Sequence, residues 1–336
     1  MLKSELIVRV QSIYPYYTRL NNMKKSELLY LYNKDCAHIP VRNAKNSCYL
    51  DSLLVALFIG DVDKKIYNLL ISNESQHPTV VKIRDQLKSI YNIITGKTYR
   101  HTVCSRLRHN LDAFYKEYQR THNVDDIDWK TDQVDPTQLL ELLLPIFNTP
   151  NMLTERISVY ASTARNPLVR DLVSGATRVE HSAIVHNITV SNLIGKRKIN
   201  LKDIFPNRKE VEHLDAANLY RLNGRMFPTK ITKTNVIASP IIYVNIDRVS
   251  ASGKLATKIT PFQKLKLIEN RLPIYLKSII VHYGNAGGGH YVCAFECRDD
   301  WYLYDDMEEE VEEIGKFEDL LARNDLLENS KAFIYA

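Results

Sequence analysis

The chain has 336 residues, of which 45% are hydrophobic and 25% charged, the balance of a globular protein able to bury a large core in one big domain or two ordinary ones. A net charge of +6 is spread thinly, and no dense Lys/Arg stripe interleaves with aromatic residues, so nucleic-acid binding is not expected and Lys196-Arg197-Lys198 reads as a solvated loop. No apolar run approaches bilayer length, and Lys3, Glu5 and Arg9 interrupt the apolar core a signal peptide would need, so a membrane role is not expected either.

The five cysteines, Cys36, Cys48, Cys104, Cys293 and Cys297, are sparse and odd in number. That predicts free thiols in a reducing compartment rather than a disulfide framework. No CxxC pair exists, so a structural zinc site is not expected. The reading is an intracellular, cytoplasmic protein, with the nucleus as an alternative.

The first half reads as helical. Residues 1–35 match no motif and are expected to form a helical extension that packs on, or precedes, the rest. From Cys48 an apolar helix continues through Leu53, Leu54, Ala56, Leu57 and Phe58. Between Pro78 and Thr95, Val80, Ile83, Leu87, Ile90, Tyr91 and Ile94 recur every three or four residues, and Gly96 is a natural stop. Thr102 to Arg120 predicts another amphipathic helix. Asp135-Pro136-Thr137-Gln138 is a helix start, with Asp135 as cap, Pro136 in the first turn and Gln138 closing a capping box. Leu139, Leu140, Leu143, Leu144 and Phe147 are its expected buried stripe.

The second half turns to strands rich in β-branched and aromatic residues, with Asn148 to Asn235 the least legible stretch. The strands are predicted at Ile157 to Ala161, Ala183 to Val190, Ile241 to Ile246, Leu276 to Tyr283, His290 to Cys297, Trp301 to Tyr304 and Ala332 to Tyr335. A helix is predicted at Lys316 to Ala322. Helices first and an antiparallel sheet second predict an α+β fold.

Two distant stretches carry chemistry. In Asn43-Ala44-Lys45-Asn46-Ser47-Cys48-Tyr49-Leu50-Asp51-Ser52, Cys48 stands where a polar loop becomes an apolar helix. Unpaired N–H groups at such a terminus favour the thiolate, the nucleophilic form. Asn43, five residues earlier, is placed to donate to the oxyanion formed when a thiolate attacks a carbonyl. Downstream, Gly287-Gly288-Gly289 leads into His290 on a strand, and Tyr291 faces the other way. A turn at Arg298-Asp299-Asp300 would bring a second strand back and set Asp305 beside His290, with Asp306 as its neighbour. Nucleophile, base and orienting carboxylate make a cysteine peptidase the expectation. The run from Asp299 to Glu313 holds nine acidic residues and no Lys or Arg, which reads as an exposed turn or as an attractor for a basic partner segment.

These stretches resemble the ubiquitin-specific proteases, the papain-like deubiquitinases. Asn43 to Ser52 is similar to their cysteine box, and the Cys-Tyr-Leu-Asp-Ser spelling at Cys48 is closest to the cylindromatosis-type branch. Gln133 to Leu140 resembles the Gln-Gln-Asp-Ala-x-Glu-Phe-Leu helix, and Pro240 to Arg248 the Pro-x-x-Leu-x-x-x-Leu-x-Arg strand. Ile280 to Phe295 is similar to the histidine box, Trp301 to Val311 to its continuation, and Ala332 to Tyr335 to the closing strand. Lys45 stands where the family has glycine, so positive φ is expected to be costly there, and Val134 stands where it has glutamine. The paired zinc-binding CxxC ribbons are absent.

The resemblance implies a catalytic domain over 36–336 with a helical thumb, an antiparallel palm and reduced fingers at 148–235. It implies Cys48 as nucleophile, His290 as base then acid, Asp305 as orienter and Asn43 as oxyanion donor. Asp306, Gly287, Gly288, Gly289, Tyr291 and Asp135 would support these groups or line the substrate's path. The implied activity is cofactor- and metal-free hydrolysis of the isopeptide bond after the C-terminal Gly of ubiquitin, by a monomer acting on ubiquitinated proteins. The acidic run would suit ubiquitin's arginine-bearing tail. A ubiquitin-like modifier as substrate and a catalytically silent ubiquitin-binding scaffold are the alternatives.

Overall fold

The computed structural model describes residues 2–13, 20–25, 27–28, 36, 39–59, 61, 64–71, 75–95, 102–122, 124–146, 153–161, 177–182, 185–205, 209–213, 220–222, 225–227, 229–237, 241–266, 273–285 and 287–336. Gly96, Phe147, Ala183 and Pro240, named above, lie outside these. Among the described residues the longer helices come first: α1 Lys3–Ile13, α2 Cys48–Phe58, α3 Pro78–Ile94, α4 Ser105–Gln119 and α5 Pro136–Ile146, with a short helical turn at Lys65–Leu70. The principal strands follow: β1 Leu153–Ala161, β2 Thr177–Ser182, β3 Val185–Ile188, β4 Lys209–His213, β5 Thr229–Ile237, β6 Ile242–Ile246, β7 Pro273–Asn285, β8 Gly288–Cys297, β9 Asp300–Tyr304 and β10 Glu312–Gly315. Helix α6, Phe317–Ala322, leads towards the closing strand β11, Ser330–Tyr335.

Every residue of α2 is buried, as expected of a helix apolar on all sides. Two hydroxyls tie it to the sheet, Ser52 Oγ donating to Tyr291 O at 2.9 Å and Ser278 Oγ donating to Ala56 O at 2.7 Å. Helix α5 starts as its sequence predicts: Asp135 Oδ1 accepts the Thr137 N–H at 2.8 Å, and Gln138 Oε1 accepts the Asp135 N–H at 3.4 Å. The helix expected from Thr102 begins instead at Ser105, because Thr102 and Val103 pair in parallel with Val41 and Arg42.

The main sheet runs β10-β9-β8-β7-β11-β6-β3, with Lys264–Lys266 added against β7. Period-two alternation divides its side chains between two cores. Tyr291, Cys293 and Phe295 face α2 and its neighbouring helices. Val292, Ala294 and Trp301 face the layer holding Leu320, Leu326 and Leu327. The expectation of an antiparallel sheet is corrected, since β3 pairs with β6 in parallel. The long excursion between them gives the chain room to return in the same direction. A separate antiparallel sheet, β2-β1-β5-β4, occupies the stretch that the sequence left least legible.

One further expectation is corrected. Cys36 and Cys297 form a disulfide, with Cα atoms 5.9 Å apart, across a sequence separation of 261. Cysteine count carries no information about so distant a pair. The segment after Cys36 lies against the β8–β9 hairpin, where the Tyr304 hydroxyl donates to Val41 O at 3.1 Å. Lys45 adopts the positive φ expected to be costly there, at 61°. In the N-terminal stretch, Leu6, Val10, Leu20 and Leu28 make a small core of their own, and Arg9 pairs with Asp299 at 3.1 Å. Among the described residues no helix is long and apolar enough to cross a membrane.

Candidate active site

The β8–β9 hairpin sets the geometry. Its two turn residues, Arg298 and Asp299, have φ of 57° and 76°, the paired positive values of a type I′ turn. Such a turn fixes the register, Cys297 opposite Asp300 and Cys293 opposite Tyr304. Asp305, the next residue, therefore lands beside His290: Asp305 Oδ1 lies 2.7 Å from His290 Nε2. Nε2 being engaged, Nδ1 is the ring nitrogen left for the thiol. Cys48, at the first position of α2, lies close enough to the His290 side chain to raise its pKa. Cys48 thus meets the His290–Asp305 pair across more than two hundred residues of chain.

Electrostatics favour the charged imidazole. The bond to Asp305, then the nearby Cys48, lifts the His290 pKa to about 10 against the opposing effect of burial. For Asp305, burial pushes the carboxyl upward, but the His290 bond and the Met307 N–H outweigh it and hold it below the usual range. Asp306 is buried, with Oδ1 3.7 Å from His290 Nε2. Burial raises its pKa. Asn43 does not face the cleft freely: its Nδ2 donates to Asp306 Oδ2 at 2.8 Å, and its backbone N–H to Asp306 O at 3.1 Å. His290, Asp305 and Asp306 have the spacing of metal ligands, but the imidazole is already held between a carboxylate and a thiol.

Comparison with known proteins gives the family. The family model described as ubiquitin carboxyl-terminal hydrolase matches residues 40–335. The chain belongs to that family. It is therefore a ubiquitin carboxyl-terminal hydrolase, a cysteine-type peptidase. Among solved structures it is similar to a chain of the SAGA DUB module Ubp8/Sgf11/Sus1/Sgf73 bound to monoubiquitin, with TM-score 0.59 and 13% identity over 91% of this chain and 70% of that one. At that identity the likeness speaks to the fold alone, a papain-like arrangement of helices on a mixed sheet. No curated protein matches it by sequence.

In this hydrolase a cleft of about 610 Å³, lined by Gln133, Asp135, Glu141, Gly287, Gly288 and Tyr291 among others, adjoins the reacting groups through Gln133, which reaches Cys48 and Gly289. Tyr291 is nearly buried and stacks on His282 at 4.5 Å between ring centroids. Asp135 pairs with Lys331 at 2.6 Å. The acidic run from Asp299 to Glu313 does not line the cleft. Several of its members meet cations of the chain itself: Asp299 meets Arg9, Asp300 meets Lys316, and Glu312 meets Arg323 at 2.7 Å.

Of the three glycines before His290, only Gly289 is forced by packing. A Cβ there would run into Tyr283 O and His282 Nε2, whereas Gly287 and Gly288 have room. Gln133 was not expected in the site. Its amide donates to Gly289 O and accepts from the Gly289 N–H at 3.2 Å, and its Nε2 lies 3.6 Å from Cys48 Sγ. It stands two residues before Asp135, at the start of the stretch resembling the family's Gln-Gln-Asp helix, and that adjacency was its one signal.

Proposed function

We propose that the chain is a thiol-dependent deubiquitinase that hydrolyses the isopeptide bond after the C-terminal Gly of ubiquitin. The observation that supports this is the closeness of Cys48, His290 and Asp305 beside a cleft that Gln133, Gly287 and Gly288 line. Cys48 attacks the terminal carbonyl as thiolate, opposite the His290 imidazolium. The N–H groups at the start of α2 and the second N–H of the Asn43 amide stabilise the oxyanion. His290 then gives its proton to the departing lysine amine, and later takes one from the water that cleaves the thioester. Asp305 keeps the ring oriented through Nε2. No step calls for a metal or cofactor.

A narrow passage between Gln133 and Gly288 suits a substrate without side chains at its reacting end. The Cys48-Tyr49-Leu50-Asp51-Ser52 spelling favours the cylindromatosis-type branch. The sheet β2-β1-β5-β4, in a chain without CxxC pairs, is assigned as fingers lacking a zinc ribbon. Residues 36–336 are assigned as the catalytic domain of an intracellular monomer whose partners are ubiquitinated proteins.

The test is hydrolysis of a fluorogenic ubiquitin conjugate by the wild type and by Cys48→Ala, His290→Ala and Asp305→Ala, with modifier probes bearing a thiol-reactive C-terminus run beside it. Wild-type turnover lost in the Cys48 and His290 variants is expected. Labelling of Cys48 by a probe of another modifier alone would overturn the substrate. Binding of ubiquitin without any labelling would make the chain a scaffold.

A further inference from the structure

Beneath the reacting groups lies a second pair of carboxyls that the mechanism above does not use. Asp51 is on α2, one turn after Cys48, and is fully buried. Its Oδ2 accepts from Ser47 Oγ at 2.5 Å, while Ser47 Oγ itself accepts the Ala44 N–H at 2.7 Å. The buried, neutral Cys104 thiol is a second neighbour that favours this carboxylate. Among the described residues the remaining oxygen, Asp51 Oδ1, accepts no hydrogen bond from an N–H or O–H donor, and neither does Asp306 Oδ1. Yet the two carboxyls are neighbours: Asp306 holds Asn43 through Oδ2 and its carbonyl, Asp51 holds the adjacent Ala44 through Ser47, and each carboxyl shifts the other's pKa.

Two carboxylate oxygens cannot bond to each other without a proton between them. Leaving two anions side by side in a dry interior is far costlier than retaining one proton. We propose that Asp51 and Asp306 share a single proton carried by Asp51, and that Asp51 is thereby the positioning residue that fixes Asp306 and, through it, the Asn43 amide.

The proton belongs on Asp51 rather than Asp306 because of what faces each. Asp306 has the His290 ring nitrogen 3.7 Å from Oδ1 and the Asn43 amide 2.8 Å from Oδ2, both of which favour an anion. Asp51 has two neutral neighbours, Ser47 and Cys104, and no salt-bridge partner among the described residues. The nearby cation Arg108 spends its donors on the carbonyls of Trp129 at 2.8 Å and Ala44 at 3.0 Å. Tyr304 and Tyr49, the other titratable neighbours, are themselves held neutral by burial. Burial likewise pushes the Asp51 carboxyl well above its ordinary range. The acid O–H then donates to Asp306 Oδ1, which satisfies both orphaned oxygens at once. An anionic Asp306, pinned from below, holds Asn43 Nδ2 and leaves the second N–H of that amide for the reacting oxygen. The catalytic consequence rests on the assignment of Asn43 as oxyanion donor; the shared proton does not.

The test has two arms. Isotope-edited infrared spectroscopy of the wild type at neutral pH should show the carbonyl stretch of a neutral carboxylic acid. The band should be absent from Asp51→Asn and present in Asp305→Asn. Its absence from the wild type overturns the proposal whether or not the enzyme turns over. On the fluorogenic ubiquitin conjugate, Asp51→Leu should lower kcat on the order of 10²-fold with KM nearly unchanged, the scale of a misplaced catalytic group. Asp51→Asn puts a neutral N–H donor where the acid O–H stood, and should restore kcat to within about tenfold of wild type. An Asp51→Asn variant that folds, as judged by circular dichroism, but is as slow as Asp51→Leu overturns the positioning role. Should the wild type hydrolyse no ubiquitin conjugate, the function proposed above fails, and the infrared band alone decides the proton.

Discussion

Asp305 acts on His290 through charge as well as orientation. It is the largest cause of the rise in the His290 pKa from an ordinary 6.5 to about 10. The imidazolium is thus present across neutral pH and is lost as pH rises through about 10. Asp305→Asn keeps a group at Nε2 but removes the charge. The alkaline limb of kcat/KM should then move to lower pH and the plateau should fall, by about 10²-fold or more. A pH–rate profile measures both, and an unmoved limb would assign the carboxylate role to Asp306 instead. The same shift has a sign in folding. A group whose pKa is raised on folding contributes stability that is complete below its unfolded value, here near 6.5, and lost as pH rises through about 10. Lys45, at φ 61°, is the opposite kind of residue, one whose side chain does nothing visible for the loop that carries it. The left-handed conformation costs a non-glycine residue about 1–2 kcal/mol, and glycine's extra freedom in the unfolded chain returns about 0.4–1 of that. Lys45→Gly should therefore stabilise the protein by up to about 1 kcal/mol, read as a higher urea midpoint at unchanged slope.

At the level of elements, the hairpin β7–β8 separates two roles that the run Gly287-Gly288-Gly289 conflated. Gly289 pairs with Gly284, and a methyl on it would meet the backbone of Tyr283 and the ring of His282. Gly288→Ala would meet nothing nearer than Gln133 Oε1, at 3.5 Å across the passage. Gly289→Ala should lower the thermal midpoint and displace His290. Gly288→Ala should fold normally yet raise KM for the ubiquitin conjugate, because its methyl narrows the way to Cys48. Equal effects on stability would show that the steric distinction is wrong. These strands were also the most legible part of the chain. The turn is one residue shorter than the Arg298-Asp299-Asp300 expected, because Asp300 already pairs with Cys297, yet alternation in β8 leaves one register and that register puts Asp305 at His290. Helices α3 and α5 were equally clear, because apolar spacing and a capping box are local signals. What escaped was nonlocal. The parallel pairing of β3 depends on the path of a long excursion, and the Gln133 contacts depend on how a loop faces a strand. Asp51 was visible as an acid inside an otherwise apolar helix, but its meaning needed Asp306 beside it.

Over the whole molecule, the disulfide closes the longest loop. Cys36 and Cys297 join the entry to the α2 layer with the end of β8, across 261 residues. Closing so large a loop in the unfolded chain costs up to about 5–6 kcal/mol on the chain-entropy account, an upper limit that native strain and residual structure reduce. The bond sits on the hairpin's turn side, while His290 stands at the other end of β8, seven residues away along the strand. Stability and activity should therefore separate. Cys36→Ser and reduced wild type should share one thermal midpoint, clearly below that of the oxidised protein. Their kcat and KM on the ubiquitin conjugate should agree with each other and with those of oxidised wild type at temperatures where all are folded. The comparison has to be made with Cys48 kept as a free thiol, because strong reductant opens the distal bond while protecting the nucleophile. A Cys36→Ser variant that melts where the oxidised protein does would show that the bond adds nothing to the fold. One that folds but loses turnover would show that the two ends of β8 are mechanically coupled, and that the hairpin transmits to His290 whatever happens at residue 297.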